Sequence, residues 1–145
     1  MSPTPAHTIL LRRDVHARTV ELRAVRHEVE RHAVRFGFAK DVAFRIALAV
    51  DEACANIIEH AYRNDPHAHF SIEVASEGES FVVTLTDAGI PFSHRRIPAL
   101  DLFRCAREQR KGGLGLHLIT RIMDAIEYGE TDDRMNRLRM IKRKS

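Results

Sequence analysis

The apolar patterning of this 145-residue chain predicts an α+β fold: a two-layer sandwich in which helices cover one face of a mixed, mostly antiparallel sheet. Three observations carry that expectation. Helical and alternating segments follow one another in the order strand, two helices, hairpin, long irregular segment, helix, hairpin. The last alternating segment sets Leu138 and Met140 against Arg137 and Arg139, as a sheet with one solvated face requires. A hydrophobic content of 44% is enough to fill one core, and the length suits one domain spanning residues 1–145.

The elements follow in order. Residues 1–7, with Pro3 and Pro5, are expected to form a disordered leader, and Ile9, Leu10 and Leu11 mark a short strand from about His7 to Arg12. Val20, Ala24, Val25, Val29, Ala33, Val34 and Phe36 recur at helical spacing, which predicts a helix over about Ala17 to Phe36, stopped by Gly37. A second helix is expected from about Asp41 to Tyr62. Its apolar residues, from Val42 through Ile46, Val50 and Ile57 to Ala61, cover most of its surface, so it should be largely buried.

Arg63-Asn64-Asp65-Pro66 ends that pattern. Phe70 to Val74 and Phe81 to Thr86 alternate around the turn-forming Ser76-Glu77-Gly78-Glu79, which reads as a hairpin. Residues 90–112 are irregular and rich in arginine, with one possible short helix at Ala99 to Arg107. A loop of that length in a compact domain is more often functional than not, and its cations suit a lid closing over a polyphosphate. Gly112 to Ala125 reads as a third helix, followed by strands at about Ala125 to Glu130 and Arg137 to Arg143.

Composition narrows the function classes. The net charge of +3, from 23 basic and 20 acidic residues, is too small and too dispersed to favour nucleic-acid binding, although the tail from Arg137 to Lys144 is locally basic. Two cysteines, Cys54 and Cys105, are too few for a disulfide framework. No basic segment followed by an apolar core opens the chain and no apolar run is long enough to span a membrane, so a soluble, cytoplasmic protein is expected.

Three short segments carry the chemistry. Glu52 and Asn56 stand four apart on the second helix and so share a face, which His60 extends by one turn and Glu59 flanks. A carboxamide oxygen suits Mg2+ beside phosphate oxygens, and a carboxylate one turn earlier can take a proton from an attacking hydroxyl. Taken alone, a solvated helix stripe explains such a pair better. Asp87-Ala88-Gly89 ends a strand, where Asp87 can accept a hydrogen bond from an exocyclic amine and Gly89 permits close approach, although Asp and Gly also make ordinary turns.

The third segment, Lys111-Gly112-Gly113-Leu114-Gly115-Leu116, opens an apolar helix, so backbone N–H groups and the positive helix end can meet phosphate, with Arg110 or Lys111 adding charge. It matches neither the P-loop nor the dinucleotide-fold glycine pattern. His67-x-His69 lacks partners at metal-ligand spacing, and Ser80, Ser93 and Thr120 lack the setting of a hydrolase nucleophile.

The stretches Ala49 to Tyr62, Thr86 to Phe92 and Gly112 to Ile119 resemble the bacterial anti-sigma-factor serine/threonine protein kinases, part of the ATP-binding superfamily shared by gyrase, histidine kinases and mismatch-repair ATPases. The similarity extends from about Ile9 to Lys142 and implies the histidine-kinase-like, or Bergerat, form of the sandwich. It implies that Asn56 helps hold Mg2+, Glu52 is the general base and Asp87 reads the adenine amino group. Gly89 would let the ring approach, and Gly113 and Gly115 would line the phosphates of ATP or ADP. It also implies two protein partners, a sigma factor and a STAS-type anti-sigma-factor antagonist that is the phosphorylated substrate, and a homodimer.

Two other readings stand beside it. One is a nucleotide-dependent regulator that binds partners without efficient phosphotransfer. The other, the catalytic domain of a histidine kinase, is disfavoured because no helical hairpin is left to carry a phosphoacceptor histidine.

Overall fold

The computed structural model describes residues 6–91 and 119–144. Within them, β1 (His7–His16), α1 (Thr19–Phe36), α2 (Lys40–Asn56), a π turn (Ile57–Ala61), β2 (His69–Glu77), β3 (Ser80–Asp87), β4 (Ala125–Glu130) and β5 (Asn136–Arg143) follow one another. One helical turn, 119–122, precedes β4. The short helix expected at Ala99 to Arg107 and most of the lid lie outside the described residues.

The five strands form one sheet in the order β1-β2-β3-β5-β4. Every neighbouring pair in it is antiparallel, which corrects the expected mixed sheet. The hairpin β2–β3 is closed by Gly78-Glu79, with Glu77 opposite Ser80. Gly78 has φ +59°, a left-handed conformation for which glycine carries no β-carbon penalty.

Strand parity decides which side is covered. Phe70, Ile72 and Val74 of β2, Phe81, Val83 and Leu85 of β3, and Leu138 and Met140 of β5 are buried in one core with α1 and α2. From α1 come Leu22, Val25, Val29 and Ala33, one stripe at three- and four-residue steps. The second helix buries more of its surface, through Ala43, Ile46, Ala47, Ala49, Val50, Ala53 and Cys54. That matches its sequence, in which apolar residues cover most of the helix surface.

The opposite face of the sheet carries ion pairs. Arg12 pairs with Glu73 at 2.7 Å, and Arg139 with Glu77 at 2.7 Å and Glu127 at 3.4 Å. Exposed pairs of this kind contribute little stability each, and they keep an open sheet face polar.

Strand β1 runs four residues beyond the expected Arg12, because His16 still pairs with His69. Gly37 stops α1 as expected: it has φ +125°, and its N–H donates to the carbonyls of Ala33 and Val34. The second helix differs more. It is α-helical only to Asn56, and the apolar run Ile57 to Ala61 continues as a π turn, in which the Tyr62 N–H donates to the Ile57 carbonyl five residues back. Among the described residues, no helix is long and apolar enough to cross a membrane.

Candidate functional site

Glu52 and Asn56 lie on the last α-helical turn of α2, both partly exposed while their neighbours Ala53 and Cys54 are buried. The helix thus turns its core face to the sheet and leaves these two side chains on the rim. Partial burial pushes the Glu52 carboxyl above the ordinary glutamate range, and the charges of Asp51 and Glu59 push it the same way. A carboxylate so shifted is a stronger base than a free glutamate, as proton abstraction requires. Asp51 is raised by burial too, opposed by Arg26, which stands 4.0 Å away on α1.

His60, expected to extend the Glu52/Asn56 stripe, falls inside the π turn and lies 3.6 Å from Glu59. Glu59 itself remains close enough for its charge to be felt at Glu52.

The π turn delivers Ala61 to the second segment. The Ala61 carbonyl accepts the Ile90 N–H at 2.9 Å. A β-carbon on Gly89 would sit 2.5 Å from that oxygen and 2.8 Å from the carbonyl carbon. Gly89 therefore has a packing role against backbone, apart from any role toward a ring. Through Ala61, the end of the helix that bears Glu52 and Asn56 is fastened to the Asp87-Ala88-Gly89 turn.

Asp87 ends β3 and is only 2% exposed. Burying a carboxylate is costly unless donors surround it. Its Oδ1 accepts the Gly89 N–H at 3.0 Å and the Asn136 Nδ2 at 2.9 Å. Asn136, the first residue of β5 and directly opposite Asp87 in the sheet register, also donates toward the carbonyls of Gly89 at 3.1 Å and Ile90 at 3.3 Å.

Tyr62 adds a second tie. Its hydroxyl accepts the Ala88 N–H at 2.8 Å and donates to the His69 carbonyl, joining the turn to the start of β2.

Neither Asn136 nor Tyr62 was singled out from sequence. Tyr62 closes the motif stretch that carries the resemblance, which is a faint signal. Asn136 gives none, because only the pairing of β3 with β5 places it beside Asp87.

Lys111, Gly112, Gly113, Leu114, Gly115 and Leu116 lie outside the described residues, as does Arg110. Among the described residues, no three His, Cys, Asp or Glu side chains, His67 and His69 included, come together as a group that could hold a metal ion.

Residues 15–142 match the family model described as a histidine kinase-like ATPase domain. The chain belongs to that family. Among its relatives, this histidine kinase-like ATPase domain is 31% identical over 99 residues to the serine-protein kinase RsbW of Bacillus cereus and to that of Bacillus thuringiensis subsp. konkukian. The RsbW of Bacillus mycoides is 30% identical over the same length. The matched stretch covers 66% of this chain and 61% of each relative's own length.

In fold, the domain superimposes on a chain of the SiaB–SiaC complex from Pseudomonas aeruginosa with a TM-score of 0.71. That match covers 92% of this chain and 89% of the other, at 16% identity.

Proposed function

We propose that this chain is an anti-sigma factor and an Mg-ATP-dependent serine/threonine protein kinase that phosphorylates an anti-sigma-factor antagonist in a bacterial partner switch. The observation that carries the reading is the fastening of the Glu52/Asn56 helix to the buried Asp87 turn through Ala61 and Gly89. It ties a base and a metal-ligand amide to an adenine-reading carboxylate. The likeness to the serine-protein kinases named RsbW supports the reaction class.

The residues present suit Mg-ATP. The amide oxygen of Asn56 is a hard donor of the kind Mg2+ takes. Asp87, buried and held by Asn136, offers an acceptor for the adenine amino group. Bound Mg-ATP supplies the phosphoryl group and neutralises charge as it transfers, and ADP remains.

The protein's own contribution is positioning. Glu52 accepts the proton of a partner serine or threonine hydroxyl as that oxygen bonds to the γ-phosphorus and the bond to the β-phosphate oxygen breaks. Lys111 and the backbone at Gly112, Gly113, Leu114, Gly115 and Leu116 would face the phosphates beneath a lid at residues 90–112.

The chain would act as a single ATP-binding domain over residues 1–145 and as a cytoplasmic homodimer. It would release its sigma factor when the antagonist binds. The test is incubation with labelled ATP and candidate STAS-type antagonists, with Glu52→Ala alongside. Transfer to a serine or threonine that Glu52→Ala abolishes, with ATP binding kept, is the expected result. Nucleotide binding with transfer to none of the candidates leaves the regulator that binds without chemistry.

A further inference from the structure

The sheet has a second pole. Along β3 and β5 the register runs from Asp87 opposite Asn136 to Ser80 opposite Arg143, so the two ends stand roughly 23 Å apart at the rise of an extended strand. At the Arg143 end a cavity of about 480 Å³ opens between the start of α2, the helical turn 119–122 and the end of β5. That volume lies within the range of small-molecule sites.

Its lining is lopsided in charge. Arg45, Arg121, Lys142, Arg143 and Lys144 face one carboxylate, that of Asp124. Asp124 is already engaged, with Lys142 Nζ at 3.5 Å and the Arg143 backbone N–H at 2.7 Å. The Lys144 ammonium lies over the Phe36 ring, 4.7 Å from its centroid. Among the described residues, no carboxylate pairs with the guanidinium of Arg45, Arg121 or Arg143.

Like charges gathered in one concavity repel, and an anion bound between them relieves that repulsion. Phe38, Val42 and Ile122 give the same cavity an apolar part to its lining. The first turn of α2 is there too, and its cap residue Ala39 provides no side-chain acceptor for the leading N–H groups.

We propose that this cavity is a second ligand site, for a small organic phosphate. Its phosphoryl group would be held by Arg45, Arg121 and Arg143, and its ring or hydrocarbon part would lie against Phe38, Val42 and Ile122. Guanidinium groups suit phosphate because their paired N–H donors match its oxygens. The apolar part of the lining distinguishes the site from one for inorganic phosphate alone. Nothing in it depends on the Glu52 and Asp87 segments.

The test is titration of the full chain with phenyl phosphate and with inorganic phosphate, followed by calorimetry and amide chemical shifts, with and without saturating ADP. Saturable binding of phenyl phosphate is expected, with shifts at Phe38, Val42 and Ile122 and no competition from ADP. Its affinity should exceed that of inorganic phosphate and fall about tenfold or more in Arg45→Gln/Arg121→Gln. Arg23→Gln, an exposed cation on α1, should leave it unchanged. Absence of saturable binding at millimolar phenyl phosphate overturns the proposal. So does competition by ADP, or an equal loss in Arg23→Gln, which would mean general charge attraction.

Discussion

Gly89 and Ala61 meet so closely that a β-carbon on the glycine would lie 2.5 Å from the alanine carbonyl oxygen. The obstacle is backbone, which cannot rotate aside as a flexible side chain can. Gly89→Ala should therefore push the Asp87 turn away from the end of the α2 segment. Overpacking of this kind costs about 1–3 kcal/mol, read as a lower urea midpoint. Nucleotide affinity, measured by calorimetry, should fall with it.

Asn136→Ala removes the amide that donates to the buried Asp87 carboxylate at 2.9 Å. Leaving a buried acceptor without its donor costs about 1–3 kcal/mol, again seen in chemical denaturation. Asn136→Asp should be worse at neutral pH than Asn136→Ala, since it sets a second carboxylate against the first, and the gap between them should narrow in acid.

Tyr62→Phe deletes one oxygen that both accepts the Ala88 N–H and donates to the His69 carbonyl. A loss of about 1–2 kcal/mol is expected. Hydrogen exchange at the Ala88 amide should accelerate more than exchange at the core strand amides of β3.

Folding raises the pKa of Glu52 through burial and through the charges of Asp51 and Glu59. The folded state thus holds that proton more tightly than the unfolded one. The group's favourable contribution to stability is complete below its unfolded pKa and is lost as the pH rises through its folded pKa. At neutral pH the ionised carboxylate is a cost, so Glu52→Gln should melt higher than the parent. The difference should close on acidification below the ordinary glutamate range. A thermal scan over a pH series checks both.

Burial also raises the pKa of the Cys54 thiol, which is fully enclosed in the core. In native protein, Cys54 should resist iodoacetamide at a pH where free thiols react, and it should label once denaturant opens the domain. Peptide mapping by mass spectrometry separates it from Cys105.

The elements that sequence reading located well are those whose ends are set by local chemistry. Strand Ala125–Glu130 has its expected bounds, and Gly37 ends α1 through its own backbone. The π turn was not legible, because Ile57, Ile58 and Ala61 continue the apolar pattern whether the chain winds by four or by five residues. Strand direction was only partly legible, since alternation reports which face is buried and says nothing of which way a neighbour runs.

At the site, Asp87 and Gly89 stood out as a motif on the chain itself. Asn136 did not, as its meaning arises from a partner 49 residues earlier. Glu52 was visible as a helix-face carboxylate, whereas its raised pKa depends on how deeply α2 sinks beside the sheet.

The π turn also sets the phase of everything after it. Closing Ile57–Ala61 with five-residue steps stores one more residue than an α-helical turn would hold. Winding the same residues at α-helical pitch, with none removed, would rotate the following chain by about 100°. The Ala61 carbonyl would then swing off Ile90 and lose its seat against Gly89. The spare residue is thus the spacer that lets a helix of ordinary pitch end with one carbonyl aimed at the Asp87 turn while Glu52 and Asn56 stay at the rim.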